Sequence, residues 1–218
     1  LQATGIAYQS GRWGAALALE PGGLLSYARE GALDLSEGTI EMWVVPRADG
    51  GDPVYAERDH YLFHYAAPNG DYISIAQSRS AGIVHAGGRT AGQWQSAWGG
   101  LALMRSWRAG EWHHLAYTYS ATENRMRFFV DGVLAADTNE RRYIPPAATG
   151  DRFALGGNLS GAPAHYLIDE VRVWNRQLEP SQIRASAERL EAPRDNERWL
   201  PLHGLSPGDQ ITLDVSGC

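Results

Sequence analysis

The chain has 218 residues, 44% of them hydrophobic, enough to bury a full core within one domain of the size that all-β folds commonly reach. Its formal net charge is −6, and all 19 basic residues are arginines dispersed among 25 acids, so the clustered cations that a phosphate backbone requires are missing and no nucleic-acid partner is expected. No apolar run approaches the ~20 residues that span a bilayer, and the single cysteine, Cys218, allows no internal disulfide.

Short apolar runs with period-two alternation predict strands, in chain order, at Ala15–Leu19, Thr39–Val45, Tyr61–Tyr65, Tyr72–Ala76, Ile83–His85, Leu115–Tyr119, Met126–Val130, Phe153–Leu155 and Ile168–Trp174. The 25 glycines and 11 prolines fall between these runs as turn residues, without gathering into a linker. Asp131-Gly132 supplies the positive φ angles of a tight two-residue hairpin. One helix is predicted. Pro180 stands near its first turn, and Ile183, Ala187 and Leu190 make one apolar stripe that should lie against the sheet. In the tail, Trp199–Leu202 and Gln210–Val215 read as two further edge strands.

Four stretches follow one another in a meaningful order. They are Gly11-Arg-Trp-Gly-Ala-Ala-Leu-Ala-Leu-Glu20 with the run from Leu33 to Pro46; Trp112-His-His-Leu-Ala-Tyr-Thr-Tyr119 leading to the Asp131-Gly132 hairpin; Ile168-Asp-Glu-Val-Arg172; and the helix opening Leu178-Glu-Pro-Ser-Gln-Ile183. This order resembles the laminin-G-like, concanavalin-A-like jelly-roll domains of secreted and surface proteins over residues 11–184. The resemblance implies an all-β, antiparallel two-sheet sandwich with one short helix near the C-terminus. It also implies an extracellular or cell-surface setting. The whole chain, 1–218, is expected to be a single domain and a piece of a larger protein, with 193–218 as extra edge strands or tail.

Glycan-cleaving relatives on this broad fold carry Glu-x-Asp-x-x-Glu, which places alternate carboxylates on one strand face. That pattern is missing here: Glu57-Arg58-Asp59 comes nearest, but position 62 is Leu. Asp169 and Glu170 are neighbours on a predicted strand and should diverge, and neither Gly-x-Ser-x-Gly nor His-Glu-x-x-His occurs. A catalytic role is therefore not expected. His113 and His114 diverge, and His60 and His64 stand ~13 Å apart on an extended chain, which argues against zinc. His114 matches the family's strand histidine, to which the resemblance gives a structural place beside the core. Calcium is the cofactor the resemblance implies, with Asp169 as its ligand and Glu20 brought near by the turn after Leu19. The competing expectation is that Asp169 accepts loop N–H bonds while Glu170 faces solvent or an arginine.

Sugar rings stack on aromatic faces, so eight tryptophans need sorting. Trp43 and Trp112 fall in core strands by the resemblance. The segment Gly92–Gly100 stands apart: if it is extended, Trp94 and Trp98 share a face ~13 Å apart. Gln93, Gln95, Arg89 and His85 would then supply polar contacts, and Tyr143 and Tyr166 would border the same rim. The expected function is a non-catalytic carbohydrate- or glycoconjugate-binding module. The alternatives are a structural or adhesive module that contacts proteins or copies of itself, and, less favoured, a glycan-cleaving enzyme with an unrecognised site.

Overall fold

A computed structural model describes residues 1–79, 82–98, 101–138, 143–147 and 149–189. The two strands expected in the tail, Leu190 and Cys218 lie outside these residues. Twelve strands follow in order: β1 (Gln2–Ser10), β2 (Ala15–Ala28), β3 (Glu37–Pro46), β4 (His60–Ala66), β5 (Tyr72–Ser78), β6 (Ile83–Thr90), β7 (Gln93–Trp98), β8 (His113–Ser120), β9 (Arg125–Val130), β10 (Val133–Asp137), β11 (Arg152–Leu155) and β12 (Tyr166–Trp174). Among the described residues three short helices accompany them, α1 (Val54–Glu57), α2 (Leu101–Ser106) and α3 (Pro180–Ala187). None is long and apolar enough to cross a membrane.

All strand pairs are antiparallel, and hydrogen bonds link them in the order β10-β9-β8-β3-β12-β2-β11-β4-β5-β6-β7, with β1 added on β2. The expectation was of two sheets; the ladder instead runs through all twelve strands. The reason lies in β2, predicted as five residues but fourteen long. Its first half pairs with β12 at Leu17, its second half with β11 from Leu25 to Ala28, and it bends between them at Glu20-Pro21-Gly22-Gly23. At the bend Gly23 lies so close to Gly5 of β1 that a Cβ there would stand 2.5 Å from the Gly5 carbonyl oxygen. The sheet then curls until β7, at one end of the path, lies against β9 and β10 at the other. The result is a nearly closed, jelly-roll-like barrel of strands.

Alternation along each strand sends one set of side chains into the enclosed core and the other outward. Ile40, Met42 and Val44 of β3 meet Leu115, Tyr117 and Tyr119 of β8 inside, where the phenol of Tyr119 donates to the Asp34 carbonyl at 2.6 Å. Tyr27, Phe153 and Phe63 stack in series across β2, β11 and β4, at 5.6 and 5.2 Å between centroids. The Asp131-Gly132 hairpin has φ of 51° and 75° at its two residues, as its two-residue loop demands.

On the outer side of β3, β8 and β12 the buried side chains are ionic. Glu41 is 1% exposed and lies 3.3 Å from Arg172 and 3.5 Å from His114, with the Trp174 indole N–H donating to it at 3.2 Å. Burial pushes this carboxyl up, but His114 and Arg172 outweigh it and hold it below its ordinary range. α3 covers this region. Pro180 opens the helix, the Gln182 side chain accepts the Glu179 N–H at 3.0 Å, and Ile183 is fully buried against Phe129, Ala116 and Leu178.

Candidate functional site

The outer faces of β4 to β7 build the feature that bears on function. Register aligns them in rows across the strands: Ala66, Tyr72, Arg89 and Trp94 form one row, His64, Ser74, Gly87 and Ser96 the next, and Tyr61, Ala76, His85 and Trp98 the third. The middle row is small from β5 to β7, so it becomes a floor between two aromatic walls. Gly87 is required there, since its φ is +132° and a Cβ would meet the Gln95 carbonyl oxygen at 2.1 Å. The resulting groove encloses about 480 Å³. Ser78, the last residue of β5, continues it, with Asp59 and Arg79 just beyond the ends of β4 and β5.

Its walls are held in place by ring contacts. Trp94 meets Tyr72 edge to face at 5.8 Å, and Trp98 stacks on His85 at 5.9 Å, yet the two indoles stay 62% and 53% exposed. His64 packs against Tyr61 at 4.7 Å and Tyr72 at 6.0 Å. Burial lowers the pKa of His64 to about 4 and lowers that of His85, and it raises those of Tyr61 and Tyr72. At neutral pH both imidazoles and both phenols are therefore uncharged. Among the described residues, charge enters from Asp59, which accepts the Arg79 backbone N–H at 2.9 Å, from the Arg79 guanidinium, and from exposed Arg89 beside Trp94. Two open indoles and their flanking rings present apolar faces above a buried floor, where the Ser74 hydroxyl donates to the Gly87 carbonyl at 3.5 Å, and Asp59 and Arg79 add polar groups at one end.

The structure places the other expected site residues elsewhere. Gln93 and Gln95 alternate with the tryptophans and belong to the opposite face of β7. Gln95 is buried, with Oε1 accepting the Ile144 N–H at 2.7 Å. Tyr143 is 3% exposed and donates to the Leu35 carbonyl at 2.6 Å, while Tyr166 is 2% exposed and donates to Gln77 Oε1 at 2.6 Å. Neither tyrosine borders the groove, because each spends its hydroxyl on an internal partner beneath the core. Trp107 is buried flat against His113, centroids 4.0 Å apart. In place of these residues the groove uses Tyr61, Tyr72, Ser74, Ser96, Asp59 and Arg79. The alternation of Tyr72, Ser74, Ala76 and Ser78 with Ile73 and Ile75 carries the signal for that outer face.

The carboxylate of Asp169 is engaged by N–H donors: Oδ2 accepts from Arg12 at 2.9 Å and Trp13 at 3.3 Å, and Oδ1 accepts from Glu170 at 2.9 Å. Donors point at both oxygens where a cation would sit, so these residues in this arrangement do not fit calcium. Glu170 is buried 3.6 Å from Arg172, with φ of 50° at the strand's irregularity, and Glu20 is exposed at the bend of β2. Among the described residues no three His, Cys, Asp or Glu side chains gather as a metal-binding group. His60 is committed to structure, its Nδ1 accepting the His165 N–H at 3.1 Å and its Nε2 lying 3.2 Å from the Val54 carbonyl.

Similarity to known proteins reaches most of this fold. The chain is similar to domain 4 of AbnA, an extracellular GH43 arabinanase from Geobacillus stearothermophilus, solved with arabinotriose: 24% identity, 84% of this chain and 81% of that one, TM-score 0.62. It is similar also to the binding domain of Paraclostridial Mosquitocidal Protein 1, with 16% identity over 86% of this chain and 46% of that one, TM-score 0.64. The receptor-binding domain of botulinum neurotoxin type G shares 9% identity over 86% of this chain and 45% of that one, TM-score 0.61. The chain thus spans under half of either toxin domain. No curated protein matches it. Residues 23–184, more than half of the chain, match a family model, and the chain belongs to the concanavalin A-like lectin/glucanases superfamily.

Proposed function

We propose that this domain is a non-catalytic carbohydrate-binding module of a larger extracellular protein, and that it holds a glycan in the groove between Trp94 and Trp98. One observation carries the reading: two indoles, more than half exposed in the folded chain, form opposite walls of a 480 Å³ groove floored by Ser74, Gly87 and Ser96. Leaving two large aromatic faces in water is unfavourable, and a sugar ring with its apolar C–H face covers them while its hydroxyls reach Asp59 and Arg79 at the groove's end. Because the walls stand on either side of the floor, the chain of sugars runs across the strands between the indoles. The neutral imidazoles and phenols suit an uncharged glycan along most of the groove. The arabinotriose complex of the arabinanase domain makes arabinan oligosaccharides the first ligands to try.

The test is a glycan array on the domain, run with calcium and with chelator, beside a folded Trp94→Ala, Trp98→Ala variant. Binding to neutral oligosaccharides, lost in the variant, is the expected result. The N–H donors around Asp169 predict that chelator changes nothing. Absence of binding under both conditions would sink the reading and favour an adhesive module, for which the exposed Val133 and Leu134 of the β9–β10 hairpin are the specific observation.

A further inference from the structure

A second, smaller pocket of about 230 Å³ lies at the end of β5, beyond the last row of the groove. Alternation along β5 puts Gln77 on the inner side of the sheet, opposite Ala76 and Ser78. The pocket is open to solvent and bordered by the loop through Gly50, Gly51 and Asp52, by Tyr55 and Ala56 of α1, and by Arg79 and Arg105. The loop is fixed against α2: the Gly50 N–H donates to the Trp107 carbonyl at 2.9 Å, and a Cβ at Gly50 would fall 1.8 Å from the Met104 carbonyl oxygen. The cavity is thus a product of packing.

Its polar groups are unbalanced in a way that points to a ligand. Gln77, one of the residues lining the pocket, is fully buried; its Oε1 accepts the Tyr166 hydroxyl at 2.6 Å, while its Nε2 has no hydrogen-bond partner. Buried donors without acceptors are rare because desolvation is not recovered. Arg79 and Arg105 are exposed, and neither guanidinium has a carboxylate within ion-pair distance among the described residues. The acidic groups nearby are Asp52, whose Oδ1 accepts the Val54 N–H at 2.9 Å, and Asp59, which holds the Arg79 backbone.

We propose that this pocket is a second ligand site, separate from the Trp94–Trp98 groove, for one small hydroxy acid of the size of a single uronic acid ring. Planar guanidinium groups pair with a carboxylate, Gln77 Nε2 donates to a ring or hydroxyl oxygen, and the remaining oxygen of Asp52 accepts a hydroxyl proton. The volume falls below the range of ~300 Å³ and upward that holds larger ligands, which limits the occupant to about one ring.

The experiment titrates the whole domain with sodium glucuronate, glucose and sodium sulfate, following amide shifts of Gly51 and Gly82 and the Gln77 side-chain NH₂ by NMR. Glucuronate is expected to shift these signals at millimolar concentration while glucose does not. Arg105→Gln, at the exposed end of α2, should weaken glucuronate about tenfold. Gln77→Glu keeps the acceptor for Tyr166 but replaces the donor with a like charge, and should abolish binding. Trp94→Ala, Trp98→Ala should leave glucuronate binding unchanged, which separates this site from the groove whichever way the array falls. No shift with glucuronate, equal shifts with glucose, or affinity unaffected by Arg105→Gln would each overturn the proposal. Sulfate binding as tightly as glucuronate would overturn the hydroxy-acid class.

Discussion

Replacing Trp94 or Trp98 with alanine should weaken glycan binding about tenfold each and leave the fold intact. A tryptophan side chain presents roughly 200 Å², and at 62% and 53% exposure about 115 Å² of each indole is open. A sugar ring lying on one face covers about half of that, roughly 55 Å², worth ~1.4 kcal/mol at 25 cal/mol per Å², or about tenfold in affinity. The indoles stand on opposite walls, ~13 Å apart along β7, so the two losses should add to about a hundredfold. Isothermal calorimetry with the best array ligand reads this, and urea midpoints of the variants check the fold. Trp98→Ala should also free the His85 ring it stacks on. A folded double variant that binds within about threefold of the original domain would refute the argument, since no other exposed aromatic area of this size lines the groove among the described residues.

Three further outcomes follow from the geometry. The pKa of His64 is lowered from 6.5 to about 4 in the fold, so as pH falls the unfolded chain takes up a proton first; stability full above 6.5 is lost on the way down to about 4, by roughly 2 kcal/mol at about pH 5. Urea unfolding at about pH 7 and 5 measures this, and His64→Phe should flatten the slope that His85 and His60, also lowered by burial, add to. Gly87→Ala should cost more than ~3 kcal/mol, because both φ and the Gln95 carbonyl oppose a Cβ; a variant with an unchanged urea midpoint would contradict the groove floor as described. Tyr143→Phe removes the hydroxyl that satisfies the Leu35 carbonyl and should cost ~1–2 kcal/mol while glycan affinity stays the same; a fall in affinity would return Tyr143 to the site.

Much of the sheet was legible because period-two alternation is local. Every strand expected from Ala15 to Trp174 lies inside an observed one, and the Asp131-Gly132 turn has the φ angles its residues favour. β1 was missed: it lies on the outside of β2, with no buried face to impose alternation on Gln2–Ser10. β2 was read short because Pro21-Gly22-Gly23 signals a turn, whereas the chain bends there and goes on pairing. For the site, Trp94, Trp98 and His85 came out of composition, but their partners are set by register across four strands, which no single stretch contains. Gln93 and Gln95 are close to the tryptophans in sequence, but strand alternation puts them on the other face of β7. Tyr143 and Tyr166 sit in stretches that look loop-like, and only tertiary packing shows their hydroxyls turned inward.

The tryptophans stand on β7, the last strand of the hydrogen-bonded path, which among the described residues pairs with β6 alone. A glycan lying across the strands would transmit tension in the same direction, perpendicular to the chain. Such a pull opens the rungs between Thr90–Gln93 and His85–Trp98 one after another, as a zipper opens, instead of shearing them all at once. If a glycan lies in the groove as proposed, its grip is mechanically anisotropic: it yields early when the ligand is tugged outward from β7 and holds longer when the ligand is tugged along the strand.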